Sequence, residues 1–198
     1  MRADEIQIIR DDLVFWQAYE PAVKCDLSCC ARIFGKEFVF IDPIPLAPDA
    51  LDELTALATP AAIVLTNGNH ARAAAVFRER FSIPIHAHRD AGAELGLAID
   101  HALTEGGAAP GGLAVVEIPG APAGEIALHA GGIMHAGDAL IHLEPLGFAL
   151  LPEKYCADAR TMRASLGKLL RFDFELLTFA HGLPLVSQAR RRLEHLLA

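Results

Sequence analysis

Apolar and polar positions alternate through the first forty residues. Ile6 to Arg10 and Leu13 to Tyr19 flank Asp11-Asp12, and Leu27 to Phe34 and Phe38 to Ile41 flank Gly35-Lys36. Both pairs predict hairpins with turn-forming residues between their strands. Pro43 ends the ladder because proline has no N–H to donate, and it leaves Asp42 at a strand end. Leu51, Leu54 and Leu57 then share one helical face, which predicts a helix over Asp49 to Leu57. After it the rhythm changes. Ala61 to Leu65 reads as a short buried strand, His70 to Phe81 as a helix through Ala73, Val76, Phe77 and Arg80, and Ile83 to His88 as the next strand. The pattern is a β-α-β unit whose loop is Thr66 to Asn69.

Thr104 to Gly112, rich in glycine and alanine, reads as a surface loop. Strands are predicted again over Leu113 to Ile118, Gly124 to Ala130, Ile133 to Ala136 and Ala139 to His142, separated by Pro119-Gly120, Gly131-Gly132 and Gly137-Asp138. A helix over Asp158 to Arg171, a strand over Glu175 to Phe179 and a helix after Pro184 complete the chain. The last helix carries the stripe Val186, Ala189, Leu193, Leu196 and Leu197, so Arg190 to Arg192 fall on its solvated face. Two strand-rich halves, each closed by helices, predict two sheets packed face to face with helices outside. No long polar linker divides residues 1–198, so one domain is expected.

Composition removes several classes of partner. A formal charge of −8 has the wrong sign for a phosphate backbone, so nucleic acid is not an expected ligand. No apolar run approaches a membrane span, and Met1 to Arg10 carries Asp4 and Glu5 where a signal peptide needs an apolar core, so no membrane contact and a cytoplasmic location are expected. The four cysteines, Cys25, Cys29, Cys30 and Cys156, lack the paired C-x-x-C spacing of a zinc ribbon, and Cys29 and Cys30 would face opposite sides of a strand. They read as reduced structural thiols. The alanine-rich acidic chain is compatible with a homodimer.

Three signatures stand in order at the predicted strand ends: Ile41-Asp42-Pro43; Thr66-Asn67-Gly68-Asn69-His70-Ala71-Arg72; and Ile118-Pro119-Gly120-Ala121-Pro122-Ala123-Gly124 leading to Gly137-Asp138-Ala139-Leu140 and Ala180-His181-Gly182. The set resembles the metallo-β-lactamase superfamily over nearly the whole chain. The resemblance implies an α/β fold, a four-layer αβ/βα sandwich of two mixed β-sheets with outer helices and an active site along one edge. In that family the loop reads T-H-x-H-x-D-H and, with a later histidine, an aspartate and a final histidine, holds two metal ions that generate a hydroxide nucleophile. Aligned at Thr66, the leading histidines fall on Asn67 and Asn69, the aspartate on Ala71, the next histidine on Arg72 and the later histidine on Ala121. Asp138 and His181 alone stand at ligand positions.

Amide oxygens bind zinc far more weakly than imidazole, so the dinuclear centre is not expected. Arg72 would bring a permanent charge to the second site and could pair with Asp138 in place of a metal. The first reading is therefore a degenerate member without a metal, whose edge cleft of Asn67, Asn69, His70, Arg72 and Ala121 binds a small polar or anionic molecule. The alternative is a hydrolase of an ester, thioester, amide or phosphoester, with one Zn, Fe or Mn ion held by His70, Asp138 and His181. Against this, His70 could simply begin the following helix. A third reading needs no metal and makes His181 a base oriented by Asp138, with no nucleophile placed beside it by motif. His86 and His88 read as a polar strand terminus, and His135 and His142 as cleft-lining residues.

Overall fold

The computed structural model describes residues 1–198. Fourteen strands and five α-helices follow in chain order: β1 Gln7–Arg10, β2 Leu13–Glu20, β3 Cys25–Phe34, β4 Glu37–Ile41, α1 Pro48–Leu57, β5 Thr59–Leu65, α2 Ala74–Phe81, β6 Ile85–His88, α3 Gly92–Leu95, β7 His101–Leu103, β8 Ala108–Ala109, β9 Leu113–Glu117, β10 Ile126–Ala130, β11 Ile133–His135, β12 Leu140–Leu143, β13 Gly147–Leu150, α4 Ala159–Leu166, β14 Leu176–Thr178 and α5 Ala189–Leu197. The first seven strands form one sheet in sequence order, antiparallel from β1 to β4 and parallel from β4 to β7. The second sheet runs β14-β11-β10-β9-β8, with β11 and β14 parallel, while β12 and β13 form a separate ribbon.

Period-two alternation sorts the side chains into layers. On β4, Phe38 and Phe40 enter a core beneath α1 and α2, while Val39 and Ile41 point to the other sheet. On β5, Ile63 and Leu65 repeat the first direction and Ala62 and Val64 the second. Leu113 and Val115 of β9 meet the latter group, and Val116 points outward to α4 and α5. The order is helices, sheet, sheet, helices, the four layers expected from the sequence. Cys29 and Cys30 do lie on opposite faces, and all four thiols are free.

Several boundaries differ from the sequence reading. α2 begins at Ala74 instead of His70, because Arg72 has φ +34°, a left-handed backbone that no α-helix accommodates. Val76 is therefore on the wet side, and Leu57 also lies outside the core. α5 starts after the left-handed Gln188, which leaves Val186 exposed in the preceding loop. The predicted loop Thr104 to Gly112 contains the two-residue β8. The short β7 and β13 were not apparent from periodicity, and β12 leaves the second sheet to pair with β13.

Candidate functional site

Loops at one edge of the sandwich bring together the strand ends of both halves. Asp42 follows β4 with φ +51°, and its carboxylate accepts the Thr66 N–H at 2.8 Å and the Thr66 hydroxyl. Thr66 directly follows β5, so this contact fixes where the loop toward His70 departs. His70 is 1% exposed and sits between two carboxylates: Nδ1 is 3.0 Å from Asp42 Oδ2 and Nε2 is 3.0 Å from Asp138 Oδ1. His181, after β14, reaches the same Asp138 Oδ1 through Nε2 at 3.1 Å. Its Nδ1 faces the Asp26 carbonyl at 3.2 Å and Cys25 Sγ at 3.4 Å. Two imidazoles thus aim Nε2 at one oxygen, each anchored at Nδ1 from behind.

The other oxygen of Asp138 accepts from Asn67 Nδ2 at 3.0 Å, and the same amide donates to Glu125 Oε2 at 2.7 Å. Glu125 Oε1 accepts the Ala139 N–H at 2.9 Å. Glycine at 137 permits this packing: a Cβ there would lie 2.6 Å from Thr66 Oγ1 and 2.7 Å from Glu125 Oε1. Gly182, at φ +90°, crosses β12 so closely that a Cβ would strike the His142 carbonyl, and this crossing sets the position of His181.

Charges in the cluster perturb one another. Burial pushes the Asp138 carboxyl up, but the His70 charge and the bonds from His181 and His70 hold it well below the ordinary carboxylate range. Burial likewise opposes ionisation of Asp42, and His70 and Arg72 overcome it. Desolvation lowers both histidines, yet the carboxylates win: His70 is raised, and His181 is raised to about 9. Glu125 is pushed up to about 8 by burial and then by the Asp138 charge, so at neutral pH it is largely a neutral acid.

These shifts set a pH window. His181 binds its proton more tightly when folded, so its stabilisation is complete below its ordinary value of 6.5 and is lost as pH rises through about 9. Glu125 acts in the same direction between its ordinary 4.5 and about 8, because the unfolded carboxyl ionises where the folded one stays neutral. Asp138 acts oppositely, its contribution being present above 3.8 and lost on acidification. Urea midpoints are expected to fall as pH rises from near 6.5 toward 9, the His181 share alone being roughly 3 kcal/mol.

Of the residues expected to line a cleft, His70, Asn67, Asp138 and His181 converge, and the others do not. Arg72 does not pair with Asp138: its guanidinium donates to the carbonyls of Ser28 at 2.8 Å, Asp42 at 3.1 Å and Ala180 at 3.1 Å. Ala121 is packed into the core beneath α4, because its turn folds inward against Met162 and neighbouring apolar side chains. Asn69 is exposed and joins the loop through its backbone N–H, which donates to Asn67 Oδ1 at 2.8 Å. His70 does not cap a helix. His135 is buried between the sheets, where Arg32 Nη1 lies 3.1 Å from Nε2 and Thr178 Oγ1 2.6 Å from Nδ1. Asp42, Glu125 and Cys25 were missed as site residues; the Ile41-Asp42-Pro43 signature was the one sequence signal for Asp42.

A family model described as the metallo-beta-lactamase superfamily matches residues 6–198. The chain belongs to this superfamily. Solved metallo-beta-lactamases share its architecture. DIM-1 aligns with a TM-score of 0.77 at 13% identity over 98% of each chain. An enzyme from Erythrobacter litoralis gives 0.75 at 16% identity over 97% of this chain and 95% of its own. BLEG-1, a B3 metallo-beta-lactamase, gives 0.61 at 23% identity over 86% and 92%. Identities this low establish a common fold alone. No curated protein matches the sequence. Metallo-β-lactamase-superfamily proteins usually bind zinc, and here His70, Asp138 and His181 offer ligand atoms within 4.8 Å of one another. Each ring is oriented from Nδ1 by an acceptor, the way outer-shell groups hold ligating histidines, so the donor set fits one ion.

Proposed function

We propose that this chain retains one metal position of the superfamily's edge site and has lost the other. It acts as a mononuclear metal-dependent hydrolase of an ester, thioester, amide or phosphoester. The observation that carries this reading is the convergence of His70 Nε2 and His181 Nε2 on Asp138 Oδ1. Two imidazoles and a carboxylate suit zinc, iron or manganese. When bound, such an ion supplies Lewis-acid polarisation and a water of lowered pKa. Ligands for a second ion are missing, since the family's three first-site imidazole positions carry Asn67, Asn69 and Ala121.

The chain's own residues have distinct tasks. Asn67 holds the far oxygen of Asp138, and Asp42 and Thr66 hold His70 from behind. His181 is the more open of the two imidazoles, with 18% of its side chain exposed against 2% for His70, so substrate reaches the cluster from its side. Without an ion, His70 and His181 face the carboxylates of Asp42 and Asp138, which favour a proton on each ring. An ion takes the place of the protons on Nε2, so metal binding releases protons and is weakened as pH falls.

Zinc titration followed by calorimetry in buffers of different ionisation enthalpy checks this. One ion per chain is expected, with proton release on binding, and Asp138→Ala abolishes both binding and zinc-dependent turnover. Binding of two ions, or of none, sinks the proposal. A second reading has an observation of its own: each polar group of the cluster already has a partner inside the protein, as befits a metal-free site for a small polar or anionic ligand. On that reading zinc leaves the melting temperature unchanged.

A further inference from the structure

The strands at the margins of the sheets differ in how they are guarded. An unpaired strand edge offers rows of N–H and C=O groups to another chain, and folded proteins blunt such edges by brevity, charge, bulges or covering segments. β1 breaks register between Ile8 and Arg10 and ends in a charged side chain. β7 and β8 have three and two residues, and β14 is covered by Leu185, which exchanges backbone bonds of 2.9 Å with Leu177. β13 pairs with β12 alone. Its residues Gly147-Phe148-Ala149-Leu150 carry no charge and no proline, keep an unbroken register and are half-buried throughout.

The ladder shows which groups of β13 lack a partner. Leu151 N–H donates to the Ala139 carbonyl at 3.2 Å, and His142 N–H turns away from β13 to the His181 carbonyl at 3.1 Å. Bonds to β12 therefore belong to Gly147, Ala149 and Leu151, whereas the N–H and C=O of Phe148 and Leu150 point to the outer edge. The side chains of Phe148 and Leu150 pack on the core that α4 and α5 cover. Leu146, 59% exposed, precedes the strand, and Tyr155, 58% exposed, follows it.

We propose that this edge is covered by β13 of a second copy of the chain, paired antiparallel about a two-fold axis at Ala149. In that register Phe148 of each copy stands opposite Leu150 of the other, and the two exchange N–H and C=O, so each outward group meets its complement. Residues directly opposite on neighbouring strands share a face, so Phe148 and Leu150 of both copies join and the two cores beneath the α5 helices become continuous. Antiparallel pairing also brings Leu146 of one copy to the end of the strand that leads to Tyr155 of the other. A polar peptide could satisfy the backbone but would leave these apolar side chains wet; a second copy answers both needs by symmetry. The other edge of β12 holds the segment carrying His181, so one ribbon joins this interface to the candidate site.

The test uses the full chain in reducing buffer and does not depend on the hydrolase reading. Sedimentation velocity from about 1 to 100 µM should show the monomer giving way to a species of twice its mass. Amide exchange at Phe148 and Leu150 should slow about 10-fold or more over the same range, because neither N–H has an acceptor within one chain. Ala149→Lys sets two ammonium groups opposite each other at the axis, on the face away from the α5 core, and should leave a folded monomer throughout. Should that variant fail to fold, Ala149→Cys in a Cys156→Ser background decides: mild oxidation should yield a covalent dimer that the Cys156→Ser parent does not form. A wild-type monomer at every concentration, a dimer that persists in folded Ala149→Lys, exchange at Phe148 and Leu150 that ignores concentration, or no cross-link through Ala149→Cys overturns the proposal. So does a different protein held at this edge in place of the second copy.

Discussion

Asp138→Ala is expected to destabilise the protein by roughly 3–5 kcal/mol at pH 6, the cost of removing one partner from a buried charge pair. Asp138 accepts from His70 at 3.0 Å, from His181 at 3.1 Å and from Asn67 at 3.0 Å. Truncation leaves three donors without their acceptor and two imidazoles, 6.3 Å apart between centroids, with their shared anion gone. Both rings then lose protons at lower pH than before, so the variant is hurt less where they are already neutral. The loss measured by urea unfolding should therefore shrink as pH approaches 9, and the fall of stability between pH 6.5 and 9 should flatten. An equal loss at both pH values would mean that Asp138 matters only for packing.

Arg72→Ala is expected to cost roughly 3–5 kcal/mol, because it strands several carbonyl oxygens that a charged donor now satisfies. The three acceptors belong to different parts of the fold: Ser28 in β3, Asp42 after β4 and Ala180 after β14. One guanidinium thus ties the first sheet to the segment that carries His181. Lysine cannot replace it, since a single ammonium cannot reproduce donors spread over Nη1 and Nη2. Arg72→Lys should recover less than half of the loss in thermal or urea unfolding. Arg72→Gly should be milder than Arg72→Ala at the backbone, because residue 72 sits at φ +34°. Removal of the Arg72 charge should also raise His70 further, since that charge opposes its protonation.

Much of this architecture is legible in local pattern. Strands β1 to β4 follow from alternation and from turn residues at Asp11-Asp12 and Gly35-Lys36, and the β5-α2-β6 unit follows from a change of period. Asp158 marks the start of α4, where its carboxylate accepts the Thr161 N–H at 2.6 Å. The residues at the motif positions are legible too: Asn67, Asn69 and Ala121 stand where the family resemblance would lead one to expect imidazoles.

What sequence could not reveal depends on backbone paths between distant segments. The family resemblance placed Arg72 at a metal position and periodicity placed His70 in a helix, but a left-handed residue at 72 stops the helix, Arg72 turns toward three carbonyls and His70 sits between Asp42 and Asp138. Glu125 and Cys25 stood in no motif; each became part of the site when a strand end was carried beside residues more than fifty positions away. By itself the sequence determined the layers, since they depend on side-chain type and spacing along the chain. Only the tertiary structure decided which imidazoles share Asp138 and which thiol faces His181, because those relations arise from the meeting of separate strand ends at one edge of the sandwich.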